Sequence, residues 1–240
     1  MSAVLEITDA KRVYRNGRGL QETNLMLNEG EILGLLGANG SGKTTLLKIA
    51  CALTKPDAGS VTICGVPLSE DPVKALGYVG ALIETPAVYP NLSARDNLKV
   101  ACAYRQLDAK KYVDRLLEIF GLTNYQKDKV RRYSLGMKQR MALALAFLGD
   151  KKLILLDEPT NGLDIASKAN TKNMIKHACF DLGAAVIISS HLSDELEKLS
   201  TRVRILKNGY TAADVPIEQA LANGAALEDF YLAVTREGNE

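Results

Sequence analysis

The chain has 240 residues, enough for one large α/β domain with an embedded subdomain and too few for two ordinary independent domains. Its composition is globular, 47% hydrophobic and 24% charged, and a formal net charge of +2 lacks the basic excess that nucleic-acid binding would need. The cysteines Cys51, Cys64, Cys102 and Cys179 are far apart and show no C-x-x-C spacing, so they read as small buried hydrophobes in a reducing cytoplasm rather than as a zinc site or redox pair.

Short β-type runs open the chain at Val4 to Thr8, Thr23 to Leu27 and Glu31 to Leu36, and another follows at Gly59 to Cys64. The third runs directly into glycines, after which Thr44 to Ala50 has a helical pattern that stops before the Pro and Gly of residues 54–59. From about Pro86 to Gly149 the periodicity turns helical: Ser93 can cap a helix through Tyr104, Lys110 to Phe120 is amphipathic, and Ser134 to Leu148 is apolar at helical spacing. Strand-like runs resume at Lys152 to Leu156 and Ala184 to Ser189, with a helix between them near Ser167 to Cys179, the order of a parallel sheet. A last strand, Arg202 to Lys207, turns at Asn208 and Gly209, and Pro216 to Leu232 reads as one or two outer helices. The expected division is a catalytic core at 1–83 and 150–213, a helical subdomain at 84–149 and a C-terminal helical extension at 214–240. The N-terminus lacks the apolar core of a signal peptide, and no apolar run approaches the roughly 20 residues a spanning helix needs.

Gly37, Ala38, Asn39, Gly40, Ser41, Gly42, Lys43 and Thr44 match G-x-x-x-x-G-K-[ST] between a strand and a helix. Glycines at these positions let successive backbone N–H groups converge on phosphate oxygens, and the helix that follows adds its positive end. Lys43 is then expected to reach the β and γ phosphates of a nucleotide, with the Thr44 hydroxyl on Mg²⁺ and Thr45 completing the loop. Further on, Leu153 to Leu156 is an apolar strand that ends in Asp157 and Glu158. A buried strand has no structural use for charge at its tip, so Asp157 is expected to hold Mg²⁺ and Glu158 to take a proton from an attacking water.

The residues between these motifs narrow the reading. Tyr133 to Arg140, Y-S-L-G-M-K-Q-R, resembles the L-S-G-G-Q-x-Q-R signature of the ABC ATPases. Asp157 to Asp164, D-E-P-T-N-G-L-D, resembles that family's Walker B and D-loop, and Ser189-Ser190-His191 its switch histidine. The resemblance covers nearly the whole chain. It implies an α/β P-loop NTPase core with an N-terminal antiparallel β region and an inserted helical subdomain. It also implies ATP and Mg²⁺ as ligands, and a homodimer or heterodimer in which Ser134 and Gly136 contact the γ-phosphate held by the other protomer while Asp164 crosses the interface. His191 would contact the γ-phosphate, Tyr14 would stack on adenine, and an integral membrane permease, encoded separately, would hold the subunit at the inner face of the membrane. His177 is read as a surface or packing residue.

Two departures from the family pattern are informative. Leu135 and Met137 replace a glycine and a glutamine of the signature, and Glu84 stands where most relatives place the Q-loop glutamine, which makes it a candidate metal ligand. Together with the phrase L-I-E-x-P-x-x-Y-P-N-L at 82–92, they resemble the subgroup of bacitracin-resistance and lantibiotic-immunity ATPases. Export of an antimicrobial peptide is the implied role, with Glu84 coupling nucleotide state to the permease through Tyr89, Pro90 and Asn91. The alternatives are an ABC ATPase of another exporter or of an importer, or a soluble non-transport ABC protein. A ribosome-acting ABC protein would usually join two cassettes, a DNA-repair ATPase would need long heptads, and a small-molecule kinase would lack the signature.

Overall fold

The computed structural model describes residues 3–84 and 88–236, and is built on two sheets. Strands β1 (Ala3–Val13) and β2 (Gly19–Asn28) form an antiparallel pair, with β2 at one edge of a four-stranded sheet. Strand β3 (Ile32–Leu36) is buried at every position, which is what a continuous apolar run predicts for a central strand. Helix α1 (Lys43–Ala50) follows, and strands β4 (Ala58–Ile63) and β5 (Val66–Pro67) complete the antiparallel sheet in the order β2-β1-β4-β5.

Helix α2 (Pro72–Gly77) starts at the Asp71 side chain, which accepts the Lys74 N–H at 3.0 Å, with Pro72 preset for the first helical position. It leads into strand β6 (Val79–Leu82). Neither element is legible as a periodic run, because each spans less than two helical turns or a minimal strand. Helices α3 (Ala94–Tyr104), α4 (Ala109–Ile119) and α5 (Leu135–Ala146) then pack as one layer. Ser93, Asp108 and Ser134 cap them, each side-chain oxygen accepting an N–H of the first turn. Their shared core includes Phe120 and Phe147, fully buried with ring centroids 5.5 Å apart. Truncating either to alanine would cost about 3–5 kcal/mol.

Strand β7 (Leu153–Asp157), helix α6 (Ile165–Leu182), strand β8 (Ala185–Ser190), helix α7 (Ser193–Glu197) and strand β9 (Arg202–Lys207) rebuild the parallel core. Strand β10 (Tyr210–Pro216) closes the larger sheet, in the order β10-β9-β3-β8-β7-β6, antiparallel to β9 at one edge. Helices α8 (Ile217–Ala220) and α9 (Leu227–Arg236) end the described chain.

Residues 214–216 thus belong to a strand, and the helical extension begins at Ile217 rather than at 214. Its composition, Y-T-A-A-D-V-P, hides the strand. Ion pairing holds it there: Asp214 accepts from Arg202 Nε at 2.5 Å and from Arg204 Nε at 2.8 Å, and Arg204 is 4% exposed. Likewise β1 runs five residues beyond the expected Thr8, past an irregularity at Asp9, where φ is 49°, because Ala10, Arg12 and Val13 pair with β2 and Lys11 with β4. In the expected segment at 82–92, Thr85, Pro86 and Ala87 lie outside the described residues, as do residues 237–240 of the extension.

Candidate functional site

The carboxyl ends of β3, β7 and β8 meet at one place because these three strands run parallel and in register, with Leu36 opposite Ser190 and Asp157 opposite Ser189. Loops leaving those ends carry the sequence motifs. After β3, residues 37–42 turn into α1, with Gly40 at φ 82° and Gly42 at φ 107° in the left-handed region that only glycine enters freely. The turn is close to its surroundings as well: a Cβ on Gly37 would lie 2.5 Å from the Leu206 carbonyl oxygen, and one on Gly42 2.8 Å from that of Gly19.

Lys43 is 5% exposed and folds back on the loop, its Nζ donating to the carbonyls of Gly37 at 2.6 Å and Ala38 at 3.2 Å. Burial pushes its ammonium below the ordinary lysine range, opposed by the carboxylates of Glu158 and Asp157. The Thr44 hydroxyl donates to Asp157 Oδ2 at 2.8 Å, and Ser189 Oγ donates to Asp157 Oδ1 at 2.5 Å. Glu158 has φ 46°, an uncommon conformation for a residue with a side chain. It is held by its own N–H, which reaches Ser189 Oγ at 3.0 Å and the Ser189 carbonyl at 3.2 Å. Such backbone strain costs about 1–3 kcal/mol and persists where the surroundings impose it. The result is a carboxylate with Lys43 Nζ 3.9 Å from one oxygen and His191 Nδ1 3.2 Å from the other.

Five sequence-predicted residues, Lys43, Thr44, Asp157, Glu158 and His191, are therefore assembled into one constellation. Tyr14 lines the same cleft, a cavity of about 270 Å³ that also includes Gly40, Gly42, Thr45 and Glu158. The Arg12 guanidinium lies 5.3 Å from the Tyr14 ring centroid. The oxygen-only donor set of Thr44 and Asp157 fits Mg²⁺, which prefers one or two carboxylates together with phosphate oxygens. Among the described residues no group of three His, Cys, Asp or Glu side chains forms a metal cage.

Gly136 and Asp164 meet elsewhere, at Ser167, with Ser134 just before Gly136 at the start of α5. Asp164 caps α6, accepting the Ser167 N–H at 2.9 Å and the Ser167 hydroxyl at 2.6 Å, and these bonds hold its carboxyl below the usual range. A Cβ on Gly136 would stand 3.4 Å from Ser167 Oγ. Ser134 Oγ accepts the Met137 N–H at 3.2 Å at the start of α5. None of these residues lines the cleft of Tyr14 and Lys43.

Glu84, expected on the metal, has its carboxylate engaged by Lys48 Nζ at 2.5 Å, and no hydrogen bond joins it to Thr44 or Asp157. This bond raises the Lys48 pKa. Helical spacing explains the pairing: Lys48 is four residues after Thr44 on α1, so it stands one turn away on the same face. His177 is exposed and pairs with Asp181 at 3.0 Å, as a surface residue would.

Sequence reasoning named Ser189 only as part of the His191 motif; that its hydroxyl bonds Asp157 and its carbonyl accepts the Glu158 N–H is revealed only by the adjacency of β7 and β8. It missed the buried Glu195. Burial works to raise the Glu195 pKa, but bonds from Lys168, Ser190 and Thr160 outweigh it and hold the carboxyl low. The Thr160 and Ser190 hydroxyls both donate to Glu195 at 2.8 Å, tying the loop after Glu158 to the residue before His191.

A family model described as ABC transporter matches residues 20–161. The lantibiotic transport ATP-binding protein SrtF of Streptococcus pyogenes is 34% identical, over 95% of this chain and 96% of its own. The bacitracin transport ATP-binding protein BcrA of Bacillus licheniformis is 33% identical, over 97% of this chain and 76% of its own. The uncharacterized ABC transporter ATP-binding protein YdbJ of Bacillus subtilis (strain 168) is 43% identical, over 90% and 70%. Among solved structures, an ATP-binding subunit of an ABC transporter superposes with a TM-score of 0.85 at 27% identity, over 97% of this chain and 99% of that one. With a phosphate loop, a paired-acid strand tip and a histidine in one constellation, and these likenesses along nearly its full length, the chain belongs to the ABC transporter family as an ATP-binding, ATP-hydrolysing subunit.

Proposed function

We propose that this subunit powers a separately encoded membrane permease that exports an antimicrobial peptide of the bacitracin or lantibiotic kind, in resistance or immunity. The observation that carries the chemistry is the Glu158 carboxylate, set between Lys43 and His191 beside the Thr44–Asp157 pair. In this reading the Lys43 ammonium leaves the Gly37 and Ala38 carbonyls for the β and γ phosphates of ATP, and burial strengthens that attraction. Glu158 accepts a proton from the water that attacks the γ-phosphate, while His191 orients the carboxylate and contacts the phosphate. A Mg²⁺ ion held by Thr44 and Asp157 would neutralise charge on the phosphate oxygens.

The Ser134–Gly136–Asp164 group completes the site of a second protomer. The N-terminus of α5 offers N–H groups and a positive helix end to the γ-phosphate across a dimer interface. Among the described residues no helix is long and apolar enough to cross a membrane, and in this reading the permease holds the subunit at the inner face of the cell membrane. Glu84 couples nucleotide state to that partner by exchanging Lys48 for the occupied site, with the exposed Tyr89 and its neighbours Pro90 and Asn91 as the docking surface. The peptide substrate rests on the printed roles of SrtF and BcrA and on the departures at Glu84 and in the signature.

Two measurements test this reading. With the permease present, Glu158→Gln is expected to lower ATP hydrolysis by about a hundredfold or more while retaining Mg-ATP and a dimer, and Lys43→Ala to lose nucleotide. A Glu158→Gln protein that hydrolyses normally, or remains monomeric with Mg-ATP, overturns the mechanism. Cells carrying the permease and the wild-type subunit should survive bacitracin or a lantibiotic better than cells carrying Lys43→Ala. Equal sensitivity would remove the peptide substrate and leave the ATPase standing.

A further inference from the structure

The C-terminal helix and the last hairpin show no chemistry in sequence, yet they touch both halves of the nucleotide machinery. The turn between β9 and β10 is Asn208-Gly209, with φ 52° and 87°, the left-handed pair of a tight hairpin. Gly209 N–H donates to the Ser41 carbonyl at 3.0 Å, and the Gly209 carbonyl accepts the Gln21 N–H at 2.9 Å. The turn thereby pins the phosphate loop to β2 of the other sheet. Three glycines from distant parts of the chain close this junction. A Cβ on Gly209 would come within 2.8 Å of the Gly19 carbonyl oxygen, and a Cβ on Gly42 would meet the same oxygen at 2.8 Å and Gly209 Cα at 3.5 Å.

Helix α9 holds this turn from outside. Next to the turn, Lys207 Nζ donates to the Thr235 carbonyl at 2.5 Å, in the last turn of α9. Tyr231 and Thr235 of α9 wall a cavity of about 600 Å³ whose other side is the shoulder of the phosphate loop at Ala38 to Ser41. At its other end α9 is anchored by the fully buried Leu227, whose N–H donates to Glu197 Oε2 at 3.1 Å. Glu197 closes α7, the helix that begins two residues after His191, and Glu195 of α7 takes the Ser190 hydroxyl. Half-buried Phe230, Tyr231 and Val234 pack along the core between the two anchors. One short helix therefore spans from the segment behind His191 to the turn behind the phosphate loop.

We propose that α9 is a strut that fixes the phosphate loop relative to the His191 segment, and that Gly209 and Lys207 are positioning residues for ATP binding. The backbone N–H cradle works only if its curvature is set beforehand, because each N–H must point at a phosphate oxygen without a rearrangement that costs affinity. The Gly209 bond to Ser41 sets that curvature from behind, and Lys207 stops the turn from lifting. Neither residue lines the cleft of Tyr14, Lys43 and Glu158. This inference rests on the nucleotide reading of residues 37–44.

The test uses the full chain and titrates Mg-ATP against wild type, Lys207→Met, Lys207→Arg, Gly209→Ala and Glu197→Ala, with kcat and Tm measured on the same samples. Lys207→Met and Gly209→Ala are expected to raise the Kd for Mg-ATP by about five- to tenfold, a scale set by losing a charge-assisted bond or its geometry, with kcat at saturating ATP within about twofold of wild type. Lys207→Arg, which still donates to the Thr235 carbonyl, should restore the affinity. Glu197→Ala should shift the Kd in the same direction, because a strut needs both ends held. A folded Lys207→Met with the wild-type Kd overturns the proposal, as does a loss that appears in kcat instead. If Gly209→Ala does not fold, the Lys207 pair of variants decides the matter. Failure of the wild type to bind Mg-ATP would instead remove the underlying reading of the loop.

Discussion

The phosphate-loop side of the molecule and the signature side are built from equally recognisable motifs, yet they reach opposite states in the folded chain. On the first, Lys43, Thr44, Asp157, Glu158 and His191 converge from three parallel strand ends, and the strained Glu158 backbone is held in place by Ser189. On the second, Ser134 and Asp164 are bonded locally, to the N–H groups of Met137 and Ser167, Gly136 lies beside Ser167, and none of the three lines the cleft of Tyr14 and Lys43. A motif that spends its polar groups on its own helix caps has a structural role in the monomer whatever else it does. What remains at α5 is the set of first-turn N–H groups that Ser134 does not cap, open to water or to an anion from outside the chain.

Substitutions on the two sides should therefore separate catalysis from folding and binding. The largest effect is expected from Gly136→Asp, which places a carboxylate at the N-terminus of α5 where the partner's γ-phosphate is proposed to lie. Hydrolysis by the assembled transporter should fall about a hundredfold, since like charges at such a site repel strongly, while ATP affinity of the lone subunit stays within twofold. Steady-state ATPase assays and a nucleotide titration decide this, and an affinity loss in the lone subunit would erase the contrast between the two sides.

Tyr14→Ala should act on the opposite side and more gently. Loss of a stacked ring face costs about 1 kcal/mol, near a fivefold rise in the Kd for ATP, with hydrolysis at saturation almost unchanged. An unchanged Kd would make Tyr14 a packing residue beneath Arg12.

The smallest effect concerns the joint between the helical layer and the core. Lys151, which donates to the Gly77 carbonyl at 2.7 Å, is pushed down to about 8 by burial and by Arg105. Its folded pKa lies below the unfolded value near 10.5, so between those values the unfolded chain binds more protons and stability rises with pH. Below about 8 the cost of burying the charge is present in full. Discounted for partial exposure, the rise from pH 8 to 10 should be about 1 kcal/mol, and Lys151→Met should flatten it in urea titrations across that range.

Much of this was legible in one sequence, for local reasons. A G-x-x-x-x-G-K-T run between an apolar strand and a helix has few conformations open to it, and Ser93, Ser134 and the apolar β3 and β7 behaved as capping chemistry and periodicity require. The elements that escaped were short or held by remote partners: β5, α2, β6 and α7, which are too short to show a period, and β10, which Asp214 fastens to two arginines of β9.

Residue identity determined which side chains could do chemistry, because ammonium, carboxylate, hydroxyl and imidazole groups, and glycine's freedom at positive φ, belong to the residues themselves. Only the tertiary structure decided who meets whom. Strand order put Ser189 beside Asp157, the helical turn put Lys48 against Glu84, and a chain reversal more than 160 residues downstream put Gly209 behind Ser41. Contacts between residues that distant depend on the closure of the whole sheet, and no window of neighbouring residues contains that information.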